Sequence, residues 1–165
     1  MALTASLPSA DVEGIEDVRA LQDQVVGPSE WREVTQDMIN TFAELTGDDQ
    51  WIHVDVERAQ RESPYKTTVA HGNLTLSLID GLRRELSSWG SAFKLGVNYG
   101  WNKVRFPAPV VVGSRLRCYT QVVEVSEVGG GWHQVITRVT VEAEGVEKPV
   151  CVADSVGRVL VDESS

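Results

Sequence analysis

The sequence predicts an α+β domain in which an antiparallel sheet packs on one long apolar helix. Three observations carry that prediction. Leu74, Leu78, Leu82 and Leu86 recur every four residues, and Leu76 and Ile79 widen the stripe. From Phe93 onward the apolar period drops to two over several runs. Glycine-bearing turns, Gly129-Gly130-Gly131 and Glu144-Gly145, separate those runs. Helices first and strands afterwards is the order of a segregated α+β architecture.

The elements follow in order. Residues 1–14 are small, polar and acidic, with one proline, and read as a flexible N-terminal tail. The domain then occupies residues 15–165. Ile15, Val18, Leu21 and Val25 fit one helical face, which Gly27-Pro28 stops. "EWREVT" alternates weakly, as a strand does. Thr35 is placed to cap a helix whose apolar positions are Met38, Phe42 and Leu45. Gly47 is its expected end, because glycine reaches the left-handed conformation cheaply. Asp55 can cap a short helix, "VERAQRE", and "SPYKTT" is a loop. "HGNLTLSLIDGLRRELSSW" is the strongest helix of the chain. Strands are expected at "FKLGVNYG", "WNKVRF", "SRLRCYTQVVEVSEV", "HQVITRVTVEAE" and "PVCVADSVGRVLV".

Bulk composition narrows the function classes. A chain of 165 residues fits one domain, able to bury roughly 70% of its unfolded surface. Its net charge of −9 comes from 15 Lys and Arg against 24 Asp and Glu. No broad positive field exists to attract nucleic acid or an anionic membrane. No apolar run approaches the ~18 residues of a membrane span. The first basic residue is Arg19, so the N-terminus lacks the charge of a secretory signal. Cys118 and Cys151 form no framework and read as buried, reduced thiols. A soluble, cytoplasmic setting is the default expectation.

Candidate chemistry concentrates in "FAELTGDDQWIHVD", Phe42 to Asp55. A carboxylate, Asp48, follows the helix-ending Gly47, and an imidazole, His53, comes five residues later. Trp51 and Ile52 between them supply an apolar wall. A carboxylate and an imidazole converging on one water can take a proton from it and deliver one to a substrate. The bland alternative is a pair of turn aspartates and a half-buried structural histidine. In "TVAHGNLTL", Gly72 opens the apolar helix, whose first N–H groups lack intrahelical partners. Its backbone N–H can polarise a carbonyl oxygen that gains charge. The alternative is an ordinary helix start with His71 as packing. Lys103 and Arg105, like Arg115 and Arg117, share strand faces, which are either solvated or form a small basic groove for a phosphate. His53, His71 and His133 show no zinc spacing with cysteine, and no dinucleotide, P-loop or nucleophile-elbow motif occurs.

Taken together, Phe42, Leu45, Gly47-Asp48, Ile52-His53 and Ala59, the "AHG" at 70–72 and "VRFPAPVVVGSRLR" at 104–117 resemble the MaoC-like, (R)-specific enoyl-CoA hydratases of the hot-dog fold. The resemblance runs in order from Trp31 to Val161 and is nearest to the short, single-hot-dog actinobacterial members. Gln50-Trp51 stands where the family often has Asn-Pro, which alters the turn but leaves Asp48 and His53 in place. The resemblance implies a five-stranded antiparallel sheet wrapped around a central helix at about 72–88. It also implies a homodimer joined edge to edge, with acyl-CoA at the interface.

The implied reaction adds water to a trans-2-enoyl-CoA. The thioester carbonyl rests on the Gly72 N–H, Asp48 and His53 hold the water, and the product is an (R)-3-hydroxyacyl-CoA. No metal or redox cofactor is implied, since coenzyme A enters as part of the substrate. Val69, Ala70 and His71 beside Gly72, and Asn98, Tyr99, Asn102 and Arg105 further on, are then candidates to line the pocket. Two rivals share the fold, an acyl-CoA thioesterase and a non-catalytic acyl-thioester binding module. The G-D-x(4)-H spacing favours hydration.

Overall fold

The computed structural model describes residue 3 and residues 5–162. The chain opens with β1 (Ala10–Val12), α1 (Ile15–Ala20), β2 (Val25–Val26) and β3 (Arg32–Glu33). Helices α2 (Gln36–Thr46), α3 (Trp51–Val54), α4 (Val56–Glu62), α5 (Gly72–Ser77) and α6 (Ile79–Leu82) follow, with a 3-10 turn at Arg83–Glu85. Strands β4 (Ser87–Trp89), β5 (Phe93–Arg105), β6 (Arg115–Gly129), β7 (Trp132–Ala143) and β8 (Cys151–Val161) complete the chain.

The main sheet runs β2-β6-β7-β8-β5, with β3 also on the outer side of β6, and every pairing in it is antiparallel. Period-two patterning decides which face is covered. On β7, Val135, Val139, Val141 and Ala143 are buried on one side. Leu116 and Cys118 of β6 and Cys151 and Ala153 of β8 join them over Leu74, Ile79, Leu82 and Leu86. The helical run from Gly72 to Leu86 therefore lies in the hollow of the sheet, which is the hot-dog arrangement. Ile39 of α2 closes the same core.

Four expectations change. The tail reading fails for residues 10–12, which form β1, parallel to β4. Ala10 and Val12 are buried, and Leu7 bridges to Val26. Two apolar residues at strand spacing were enough, although the composition around them is polar. Met1, Ala2 and Thr4 of that tail lie outside the described residues. The first helix stops at Ala20, because Val25 and Val26 pair with β6 instead.

The long helix is not continuous. It breaks at Leu78, passes through α6 and the 3-10 turn, and gives way to β4. Hydroxyls compete along its first part: Ser77 Oγ donates to the Asn73 carbonyl at 2.8 Å and Thr75 Oγ1 to that of His71 at 3.3 Å. Finally, "FKLGVNYG" and "WNKVRF" form one strand, β5. Gly100 marks a register shift there and not a turn.

Candidate active site

The site is built where α2, α3 and the start of α5 meet. Thr35 caps α2 as expected, accepting from the Met38 N–H at 3.3 Å. Gly47 ends it with φ 74°, its N–H on the Ala43 carbonyl at 2.8 Å. The left-handed residue turns the chain sharply and presents Asp48 at the surface. Residues 47–50 are all exposed. The apolar wall expected from Trp51 and Ile52 does not enclose Asp48 within one chain. The Arg58 guanidinium lies over the Trp51 ring, 4.4 Å from its centre.

The single turn of α3 then swings His53 inward, to 7% exposure. Asp55 caps α4, accepting from the Arg58 N–H at 2.9 Å. Residues 68–70 form an extended strut pinned on both sides. The Val69 N–H donates to the Ile52 carbonyl at 3.0 Å, and the Ala70 N–H to that of Val110 at 2.8 Å. That strut delivers His71 and Gly72 to the start of α5.

Hydrogen bonding fixes both imidazoles. His53 Nδ1 stands 2.6 Å from the Val69 carbonyl oxygen. A carbonyl only accepts, so Nδ1 carries the proton and Nε2 is left with its lone pair. His71 Nε2 stands 2.8 Å from the Asp48 main-chain carbonyl, so here Nε2 carries the proton. His71 is 2% exposed, and its Nδ1 is buried without a hydrogen-bond partner among the described residues. The two rings stack with centres 3.8 Å apart and 27° between planes. Phe42 covers the His71 ring at 5.1 Å.

Asp48, His53 and His71 each offer a ligand-type atom, all within 4.8 Å of one another. Nitrogen lone pairs lie in the ring planes, so stacked rings do not aim two of them at one point between the faces. The arrangement suits proton transfer to a small molecule better than chelation.

Sequence reasoning missed two residues. Gln36 Nε2 donates to the His53 carbonyl at 2.8 Å, and Thr68 Oγ1 donates to Gln36 Oε1 at 2.5 Å. Together they tie α2, α3 and the strut into one frame around His53. No local signal marks them, because their partners are 17 and 32 residues away.

Gly72 is the first residue of α5, where N–H groups lack intrahelical partners. A Cβ there would stand 2.8 Å from the Phe106 ring, so the position admits glycine alone without movement of that ring. Val69 and Ala70 are buried, and Val69 serves His53 through its carbonyl. His71 bonds the Asp48 main chain through Nε2.

Asn98, Tyr99, Asn102 and Arg105 lie on β5. Arg105 directly precedes Phe106, whose ring packs against Gly72. Tyr99 sits beneath the Arg158 guanidinium at 3.5 Å. Asn98 lines a separate cavity of about 840 Å³, walled by β1, α1, β4 and the sheet. Asp48, His53 and Gly72 are not among its lining residues. Three of the four cations expected to form a basic groove have carboxylate partners. Arg115 pairs with Glu144 at 3.2 Å, Arg117 with Glu142 at 2.5 Å and Lys103 with Asp154 at 3.8 Å. Cys118 and Cys151 are free and buried, and burial pushes both thiols up to about 11. No helix among the described residues is long and apolar enough to cross a membrane.

Comparison with known proteins gives the family and the fold. A sequence model described as "MaoC like domain" matches residues 17–145. The 3-hydroxyacyl-thioester dehydratase Z of Mycobacterium tuberculosis is 48% identical over 146 residues, covering 88% of this chain and 95% of the relative. Among solved structures, a monoamine oxidase regulatory protein from Archaeoglobus fulgidus superposes with a TM-score of 0.77 at 25% identity, covering 94% of this chain and 99% of that one. An (R)-hydratase from A. caviae superposes with a TM-score of 0.61 at 21% identity, covering 81% and 95%.

Proposed function

Because this chain belongs to the MaoC-like domain family, with its hot-dog fold, we propose that it catalyses the reversible hydration of trans-2-enoyl thioesters to (R)-3-hydroxyacyl thioesters. One observation supports the reading most. A ring nitrogen each of His53 and His71 and an Asp48 carboxylate oxygen lie within 4.8 Å of one another, and Gly72 directly follows His71. The name of the mycobacterial relative, a 3-hydroxyacyl-thioester dehydratase, describes the same chemistry in the reverse direction.

The substrate carbonyl oxygen accepts from the Gly72 N–H, which draws electron density from the conjugated alkene and makes C3 electrophilic. Asp48 and His53 hold one water. His53 Nε2 takes a proton from it as the oxygen bonds to C3. The π electrons pass to C2, which receives a proton from the dyad on the same face. The Val69 carbonyl stabilises the imidazolium formed in between, since it already accepts from Nδ1. The substrate is an acyl-CoA or a thioester of that kind. The thioester activates its own alkene, and no step calls on a metal or redox cofactor.

The reading includes a homodimer. Among the described residues β5 pairs with β8 on one side only, and on it Leu95 is 50% and Tyr99 60% exposed. An unpaired, apolar strand edge is a template for a second copy. Edge pairing would cover Asn98, Tyr99, Asn102 and Arg105 and bring them within reach of a thioester bound between protomers.

Crotonyl-CoA tests the proposal. Loss of the conjugated-alkene absorbance without free thiol is the expected result. Thiol release would instead mean a thioesterase, and neither signal over a series of acyl lengths would mean a binding module. Coupling to (R)- and (S)-specific 3-hydroxyacyl-CoA dehydrogenases then reads the handedness. Reduced cofactor is expected with the (R)-specific enzyme alone.

A further inference from the structure

His71 is assigned no role by the dyad mechanism, and sequence reasoning placed it against the substrate. Its surroundings point elsewhere. Its Nε2–H donates to the main-chain carbonyl of Asp48 at 2.8 Å. Its ring stacks on that of His53 at 3.8 Å and is covered by Phe42. Its backbone leads directly into Gly72, the first residue of α5. One side chain thus touches both members of the dyad, and its backbone continues into the N–H donor.

We propose that His71 is a positioning residue, which acts by clamping the exposed Asp48 turn against the buried His53 ring. The turn has little else to hold it. The Asp48 N–H reaches Thr46 Oγ1 only at 3.4 Å, and residues 47–50 are exposed. The clamp also carries a cost that packing alone does not explain. With Nε2 donating, Nδ1 is a buried acceptor without a partner among the described residues. An apolar ring would fill the same space without leaving a polar atom unsatisfied. Unsatisfied buried groups of this kind are rare and often mark function. The inference rests on the hydratase reading for its catalytic consequence, though not for its structural one.

Two substitutions separate donor from ring. His71→Phe keeps the stack and the volume but loses the N–H. His71→Gln can place an amide N–H near the former Nε2 but loses the stack. Misplacing a reacting group by about 1 Å costs about a hundredfold. His71→Phe is therefore expected to lower kcat about tenfold to a hundredfold with KM nearly unchanged, while His71→Gln recovers most of the loss. In an Asp48→Asn background His71→Phe is expected to add almost nothing, because it works through Asp48. A folded His71→Phe enzyme with wild-type kcat overturns the proposal. So does the same loss in both variants, or a full further loss on top of Asp48→Asn.

Backbone ¹⁵N relaxation provides a reading that does not depend on turnover. The amides of Asp48 to Gln50 are expected to become more mobile in His71→Phe than in the wild type or His71→Gln. Unchanged mobility refutes the clamp even if no thioester is turned over. Increased mobility in a protein without hydratase activity sustains the clamp and refutes the function instead.

Discussion

The two ends of the helical run from Gly72 to Leu86 differ in kind. At the Gly72 end space is scarce and polar groups are fixed. Thr68, Gln36 and His53 are joined by hydrogen bonds of 2.5 and 2.8 Å, and the His53 and His71 rings are each fixed on a main-chain carbonyl, of Val69 at 2.6 Å and of Asp48 at 2.8 Å. At the Leu86 end lies the cavity of about 840 Å³, lined by valines and leucines among polar residues and by Arg83, Arg84 and Lys94. Arg83 is already neutralised by Asp80 at 2.6 Å and Lys94 by Asp162 at 2.9 Å. Volume alone would select the roomy end. Proton transfer needs atoms held in place, and that condition is met at the crowded end.

The largest effects are expected there. Asp48→Asn and His53→Gln keep approximate size but remove proton transfer. Each is expected to lower kcat by roughly 100- to 10,000-fold. The double variant should be little worse than either, since the pair works as a unit. Steady-state hydration of crotonyl-CoA, with circular dichroism as a check on folding, measures this. Near-normal turnover in folded Asp48→Asn would break the contrast between the two ends.

A smaller effect is expected from Gln36→Leu, which strips the donor from the His53 carbonyl and the acceptor from Thr68. Breaking such a buried bond costs about 1–3 kcal/mol, measurable by urea unfolding. Catalysis should fall with it, as α3 loses its tie to α2. Unchanged stability and turnover would mean that the frame does not hold the dyad.

The polar frame was also the part least visible in the sequence. Gly47, Asp48, His53 and the caps at Thr35 and Asp55 obey rules that act within four or five residues, so their types and spacing exposed them. The Val69 carbonyl bonds a ring 16 positions earlier, and the Asp48 carbonyl one 23 positions later. Such pairings depend on how helices pack and leave no local trace. His71 was visible as part of a motif, but its direction was not. The same limit explains the N-terminal segment, where Ala10 and Val12 gain their strand only from β4. It explains the leucine stripe too, whose spacing survives in a helix that hydroxyl back-bonding interrupts.

Between the ends lie the two buried thiols. Cys118 and Cys151 rise from 9.0 to about 11 on burial. In this window the unfolded chain holds fewer protons than the folded one, so stability falls as pH climbs from about 9 to 11. Below pH 9 both states keep the thiol protonated and the contribution is complete. Replacing both cysteines with alanine should flatten that alkaline decline in thermal melts. An equally steep decline in the double variant would assign it to other groups.

The smallest effect is expected at the roomy end. Arg84 is exposed on the cavity rim, and exposed sites of this kind usually shift stability by no more than about 0.5 kcal/mol. Arg84→Ala should leave crotonyl-CoA turnover within about twofold of the wild type. A loss on the scale of the dyad variants would move the chemistry to the cavity.

The two stacked rings are held as opposite tautomers, His53 with its proton on Nδ1 and His71 with its proton on Nε2. Long-range ¹H–¹⁵N correlation of the imidazoles reads this directly. A protonated Nδ1 and a bare Nε2 are expected for His53, and the reverse for His71. A neutral His53 with its proton on Nε2 would have no base facing the water and would rule out this mechanism.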